Sequence, residues 1–255
     1  VEKRSGGHLL PDNGPMTTRL NKHIADTGFC SRREADRLIG ERRVTVNGHP
    51  AGTGAVVGEQ DVVLVDGQPL RAREAKKAGG RKHVYIALNK PVGITCTTES
   101  SVKGNIVEFV GHEQRIFPIG RLDKDSEGLI LLTSNGNIVN QILRAENGHQ
   151  KEYMVAVNKA VTDEFLRGMA RGVRIRDEVT LPCRTSKLAK FGFRITLQQG
   201  LNRQIRLMAA AFGFRVTQLR RVRIDNIKLG ALKPGQWRNL TDAELKGLLP
   251  KQLDW

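Results

Sequence analysis

The chain has 255 residues, 39% of them hydrophobic, and a formal net charge of +16. That length allows one large domain, or a small one joined to a larger one. No run of about 18 apolar residues occurs, which argues against a membrane-spanning helix, and the pI near 10.3 points to a polyanionic partner.

The charge is unevenly spread. Residues 1–80 hold 13 Lys+Arg against 10 Asp+Glu, a net of +3, whereas residues 81–255 hold 29 against 16, a net of +13. Between 179 and 224 there are ten basic residues and no acidic one, a pattern that favours a phosphate-contacting surface over a merely solvated face. Cys30, Cys96 and Cys183 are far apart, odd in number and in no C-x-x-C pair. This argues against a disulfide framework or a zinc site and suits a reducing cytoplasm. The histidines are scattered, so no metal constellation is expected. Residues 1–16 are polar without an apolar stretch; they read as a flexible extension and not as a secretory signal.

In chain order, RLNKHIADTG at 19–28 reads as a short helix that Gly28 can end. Ser31 followed by Glu34 is an S-x-x-E capping pattern, starting a second helix through about Arg42. Asn47-Gly48 and Asp66-Gly67 are turn signals between short strands. Two helices followed by short strands over 17–70 resemble the αL-motif RNA-binding domain of the ribosomal S-four type. The resemblance implies that Arg19, Lys22, Arg32, Arg33 and Arg37 meet RNA, with Arg33 and Arg37 as i,i+4 neighbours on one face. A solvated helix face, with Glu34, Asp36 and Glu41 nearby, accounts for the same charges.

RAREAKKAGGRK at 71–82 is charged and lacks an apolar period, which marks a linker. From 83 to 255 the pattern predicts strands at VYIALNK, RIFPI (115–119), LILLT (129–133), KEYMVAV, FRITLQ and FRVTQLRRVRI. Helices are predicted at 135–145, 162–171 and 202–212, and Thr241 with Glu244 starts a last one. Strands with interspersed helices indicate an α+β domain whose sheet is largely antiparallel.

Between 115–119 and 129–133 lies a polar turn, Gly120 to Gly128, carrying Arg121, Asp123, Lys124, Asp125 and Glu127. In extended backbone Arg121 and Asp123 project to one side. The two glycines allow backbone geometry closed to other residues, or close approach of another group. A charged loop between buried strands is where a rigid scaffold presents functional groups; an ordinary solvated hairpin has the same spacing.

GRLDKDSEGLILLT at 120–133 resembles the catalytic-aspartate motif of the RsuA branch of the pseudouridine synthases, which isomerise uridine in ribosomal RNA. ALNKPVGI (87–94), KEYMVAV (151–157), GLNRQIRLM (200–208) and LRRVRI (219–224) resemble further motifs of that branch, in the same order. The resemblance implies the pseudouridine-synthase fold, a mixed, curved sheet with the site in a central cleft, preceded by the small αL-motif domain. It also implies cofactor-free and metal-free chemistry. Asp123 becomes the carboxylate that either attacks the sugar C1′ or initiates elimination from C2′. Tyr153 becomes the aromatic that stacks on the base. Arg206 is expected to pair with Asp123, a bidentate guanidinium holding the carboxylate in one orientation. Leu219 matches the apolar residue closing over the base. Arg203, Arg220, Arg221 and Arg223 are expected on phosphate, and Arg121 in the space left when uridine flips out. Where close relatives carry a second arginine this chain has Leu207, which weakens a phosphate contact there.

The implied substrate is a hairpin uridine of large-subunit (23S) ribosomal RNA, since an unpaired base is the cheaper one to extract. Transfer RNA stands as an alternative substrate, and the expected state is a monomer. Two other function classes are weighed. A catalytically silent RNA-binding factor would not need Asp123, Tyr153 and Arg206 together, and an aspartate-dependent hydrolase would need a partner histidine, serine or metal-ligand set that the chain does not display.

Overall fold

The computed structural model describes residues 17–27, 29–70, 83–139, 142 and 148–248. The expectations for residues 1–16, Gly28 and the linker 71–82 lie outside the described residues. The chain divides into two compact units, Val1–Arg81 and Lys82–Trp255.

In the first unit, β1 (Thr18–Arg19) leads into α1 (Leu20–Asp26) and then α2 (Arg32–Gly40). The Ser31 hydroxyl accepts the Glu34 N–H at 3.1 Å, which starts α2. The helix stops before Arg42, which takes a left-handed conformation with φ 57°. Then follow β2 (Val44–Val46), β3 (His49–Pro50), β4 (Val56–Val57), β5 (Val63–Val65) and β6 (Gln68–Pro69). The Asn47-Gly48 and Asp66-Gly67 turns have positive φ at both residues, as a tight hairpin requires. A four-stranded sheet, ordered β3-β2-β5-β6, and the two helices enclose a core of Leu20, Ile24, Ala35, Leu38, Ile39, Val44, Val57, Val63 and Val65.

The second unit is built on β7 (Tyr85–Lys90), α3 (Ile106–Val110), β8 (Phe117–Ile119), β9 (Glu127–Thr133), β10 (Lys151–Val157), α4 (Asp163–Ala170), β11 (Arg174–Ile175), β12 (Glu178–Val179), β13 (Arg184–Ala189), β14 (Gly192–Leu197), α5 (Gln204–Ala211), β15 (Val216–Ile224), β16 (Ile227–Lys228), β17 (Trp237–Asn239) and α6 (Asp242–Leu248). The main path of the sheet runs β13-β14-β10-β15-β9-β7-β17, with β8 on β9 and β16 on β15. All these pairings are antiparallel except that of β15 with β9, where Arg220 lies opposite Glu127 and Arg221 opposite Gly128. The sheet is therefore mixed, and the fold is α+β.

The continuous apolar run of β9 is explained by burial on both faces. Ile130 and Leu132 join the core under α4 and α5, with Val155, Phe193, Ile195, Phe165 and Met208. Leu129 and Leu131 join the opposite core, with Ile224, Leu245 and Leu248. Thr162 caps α4 by accepting the Phe165 N–H at 3.2 Å. Thr241 and Glu244 form the reciprocal box expected before α6: the Glu244 N–H reaches the Thr241 hydroxyl at 3.2 Å, and the Thr241 N–H reaches the Glu244 carboxylate at 2.9 Å. The helix expected over 135–145 opens with a 3₁₀ turn at Gly136–Ile138; residues 139 and 142 are helical, and 140–141 and 143–147 lie outside the described residues.

Candidate active site

The turn between β8 and β9 holds the first group of candidate residues. Its side chains alternate: Arg121 exposed, Leu122 buried, Asp123 half-buried. Leu122 sits in the α4/α5-side core and its N–H points to the Cys96 sulfur at 3.4 Å. Arg121 and Asp123 consequently project away from that core together, as extended backbone predicts. The Asp123 carbonyl accepts the Ser126 N–H at 3.0 Å, and the Lys124 carbonyl accepts the Gly93 N–H at 2.8 Å. The second contact ties the turn to the loop after β7.

Beneath the turn lies Lys90, fully buried at the end of β7. Its ammonium donates to the Pro91 carbonyl at 2.9 Å and the Ser126 carbonyl at 2.8 Å. Burial pushes its pKa down, opposed by Cys96 and by the carboxylates of Asp123, Asp125 and Glu127. A buried cation of this kind requires nearby anions, so Lys90 both fastens the turn and supplies positive potential beneath its carboxylates.

Two arginines hold the turn from the side of α5. Arg203 precedes that helix in a left-handed conformation (φ 54°) and forks onto Asp125, with Nη1–Oδ1 at 3.2 Å and Nη2–Oδ2 at 3.0 Å. Its Nη1 also stands 3.8 Å from Asp123 Oδ2. The Arg203 hydrogen bond keeps the Asp125 carboxyl below the usual carboxylate range, partial burial opposing it. Arg206 donates from Nη2 to the Asp125 carbonyl at 2.9 Å and to the Ser126 hydroxyl at 3.2 Å, and from Nη1 to the Val216 carbonyl at 3.3 Å.

The expected bidentate pair between Arg206 and Asp123 is therefore absent. Arg206 is largely buried, stands 3.4 Å from the Asp125 carboxylate and engages backbone on both the turn and β15. Arg203, at the helix start, is the guanidinium that reaches Asp123. The expectation that Arg203 lies on the helix is corrected too, since α5 begins at Gln204. An open groove above the turn is lined by Val92, Gly93, Asp123, Lys124, Asp125 and Arg203.

The second group sits on β10 and β15. Tyr153 is in register with Arg221, and Val155 with Leu219; Tyr153 and Leu219 share the α4/α5-side core. Arg221 is 3% exposed, which corrects its expected place on the RNA surface. Its Nε donates to the Leu129 carbonyl at 2.6 Å, and its Nη1 approaches the Tyr153 hydroxyl at 3.4 Å. The physical reason is the two-residue period of β15: Arg220 and Arg221 are adjacent, so they point to opposite faces. Arg220 is partly exposed, while Arg223 pairs with Glu152 at 3.1 Å and donates to the Asp225 carbonyl at 2.8 Å.

In the first unit Arg19, Arg32 and Arg33 are exposed. Lys22 meets Asp26 at 3.0 Å, and Arg37 meets both Glu34 and Glu41, the latter at 2.8 Å. Two of the five expected RNA contacts thus carry carboxylates of their own.

Three residues of the site were not singled out in the sequence. Lys90 lies inside ALNKPVGI, where a lysine closing an apolar strand is the available signal. Asp125 and Ser126 lie in the turn, but nothing in their spacing marks which side chain accepts which arginine.

The family described as RNA pseudouridylate synthase matches residues 84–211, and the S4 domain family matches residues 18–63. The dual-specificity RNA pseudouridine synthase RluF of Salmonella typhi is 56% identical over 229 residues, covering 90% of this chain and 78% of that protein. The ribosomal large subunit pseudouridine synthase B of Bacillus subtilis is 34% identical, covering 90% of this chain and 95% of that protein. A crystal structure of a pseudouridylate synthase, 27% identical, superposes with a TM-score of 0.65 over 91% of this chain and 99% of that one. With an S4 domain ahead of a pseudouridylate-synthase domain, and relatives this similar over most of its length, the chain belongs to the RNA pseudouridine synthase family.

Proposed function

We propose that the chain converts a hairpin uridine of 23S large-subunit ribosomal RNA to pseudouridine, with Asp123 as the reacting carboxylate and Tyr153 as the surface that receives the base. The observation that carries this reading is the setting of Asp123: half-buried, lining the groove, on a turn fastened by Lys90, Arg203 and Arg206. Isomerisation must break the bond from C1′ to the base nitrogen, turn the base and rejoin it through C5, with loss of the C5 proton. A fixed carboxylate does this either by attacking C1′ or by taking the C2′ proton to start elimination. The nearby Arg203 guanidinium, with Nη1 3.8 Å from Oδ2, helps to aim that carboxylate.

Extracting the base from a helix costs a few kcal/mol, and stacking on an aromatic returns about 1–3 kcal/mol. The balance favours an unpaired uridine. The exposed arginines of the first unit and Arg220 supply phosphate contacts. The large-subunit target is taken from the name of the Bacillus subtilis relative, and a second substrate from the dual specificity named for the Salmonella relative; we take transfer RNA as that second class.

Uridine tritiated at C5 gives the test, because the label leaves when the new bond forms. Release is expected from 23S RNA and, more slowly, from transfer RNA. A folded protein that releases no tritium from 23S RNA would overturn the assignment.

A further inference from the structure

Arg221 carries an unusual load for a buried side chain. It is 3% exposed, and among the described residues no carboxylate forms an ion pair with it. Nε is committed to the Leu129 carbonyl at 2.6 Å and Nη1 to the Tyr153 hydroxyl at 3.4 Å, but the buried Nη2 has no hydrogen-bond partner. A guanidinium has five N–H donors and no acceptor. Leaving two of them unmet in the interior costs more than an ordinary hydrogen bond returns, so the arrangement calls for an oxygen that is not part of the chain.

The surroundings say what kind of oxygen. Arg221 lies 5.9 Å from the centre of the Tyr153 ring. Lys151, two residues before Tyr153 on β10, shares its face, opposite Leu197 where Tyr153 is opposite Ile195. Burial and the charge of Arg221 together push the Lys151 ammonium down. This end of the sheet therefore has an excess of donors beside the one aromatic of the site. A uracil laid on that ring brings carbonyl oxygens at its edge; cytosine replaces the oxygen at position 4 by an amino donor.

We propose that Arg221 is the residue that makes the site specific for uracil: it fixes Tyr153 through the phenol oxygen and donates from Nη2 to the position-4 carbonyl of the base stacked there. A site built to donate rejects a base that presents a donor in the same place, since both groups are then left unpaired. This inference rests on the reading of Tyr153 as the stacking surface.

The experiment uses the full chain in single turnover on three hairpin RNAs carrying uridine, 2-thiouridine or 4-thiouridine at the target, with conversion followed by nucleoside chromatography. Sulfur is a weak acceptor, so the wild type should react about tenfold or more slowly on the 4-thiouridine RNA; a penalty confined to the 2-thiouridine RNA would overturn the proposal, because cytosine keeps the position-2 carbonyl. In Arg221→Met the penalty on the 4-thiouridine RNA relative to uridine should fall to within about twofold. Arg221→Lys keeps the charge without the planar fork and serves if the methionine variant does not melt cooperatively; it too should show a reduced penalty. Equal penalties in wild type and variants would overturn the proposal. So would a wild type slowed less than twofold by the 4-thiouridine RNA, a result that needs no variant. Failure of the wild type on uridine itself would instead overturn the pseudouridine reading, and the two failures are distinguishable.

Discussion

Gly128 and Arg221 face each other across the parallel join of β9 and β15 so closely that a Cβ on Gly128 would stand 2.2 Å from the Arg221 carbonyl oxygen. The glycine also has φ 105°, a conformation that side chains rarely adopt. The join fixes where the Asp123 turn ends and where Arg221 begins, so fold and site depend on the same missing methyl. Gly128→Ala should destabilise the second unit by about 3 kcal/mol or more, since a backbone clash adds to the cost of positive φ. Urea unfolding measures this, and a change below about 1 kcal/mol would contradict the close join.

Asp123→Asn tests the chemistry. The substitution removes the charge while keeping the shape, and the remaining fastenings of the turn, through Lys90, Arg203 and Arg206, do not require it. Isomerisation should be abolished while RNA affinity stays within a few-fold. Appreciable turnover by the purified variant would remove Asp123 from the mechanism.

The Tyr153 variants separate stacking from the hydroxyl contact. Tyr153→Phe keeps the ring and loses only the partner of Arg221 Nη1, whereas Tyr153→Ala loses both. Filter binding should show the alanine variant weaker by about tenfold, in line with about 1–3 kcal/mol per stacked base. Equal affinity of the two variants would argue against a stacking surface.

Much of this architecture was legible in the sequence, and the exceptions have specific causes. LILLT reads as a buried strand, which the structure bears out, and the turn before it reads as the place for a functional carboxylate, where the structure sets Asp123 at the edge of an open groove. The basic run of 179–224 reads as one surface, but a strand sends alternate residues to opposite faces. Of the neighbours Arg220 and Arg221, the one opposite Tyr153 is interior, and two identical letters cannot say which. The exchange between Arg203 and Arg206 has a different cause. It depends on Arg203 being left-handed at the start of α5, a backbone choice that helical spacing does not encode. Lys90 escaped notice because a lysine is ordinarily exposed, and the carboxylates near it lie 33 or more positions further along the chain.

Stability should carry an acid-sensitive contribution from the last helix. Arg238 forks onto Glu244 with both distances at 2.7 Å, and the Thr241 N–H adds a third bond. These, with the arginine first, hold the Glu244 carboxyl down to about 2, partial burial opposing them. A carboxyl lowered on folding stabilises the native state above its unfolded pKa, near 4.5, and the stabilisation is lost as pH falls toward the folded value. Because Arg238 is itself partly exposed, solvent screening reduces the effect to about 1 kcal/mol. Wild type and Glu244→Gln should differ by that amount in urea unfolding at pH 7 and converge at about pH 2–3. A difference independent of pH would assign the loss to packing.

The first unit has its own core, from Leu20 to Val65, and the second has two, one on each face of the sheet. Each therefore has the means to fold alone. If the first unit acts as a tethered RNA-binding module, it raises affinity through effective concentration and adds no chemistry. Removing residues 1–81 should then leave Asp123, Tyr153, Arg203 and Arg206 in a folded second unit. The loss should fall on RNA affinity and choice of uridine, and the salt dependence of binding should become shallower, since each lost phosphate contact takes a released counterion with it. The competing idea is that the first unit helps shape the catalytic groove. Single-turnover rates of the full chain and the truncation, compared at saturating hairpin RNA, decide between them. The tether predicts rates within a few-fold. A truncated protein that melts cooperatively yet is slower by orders of magnitude would refute it.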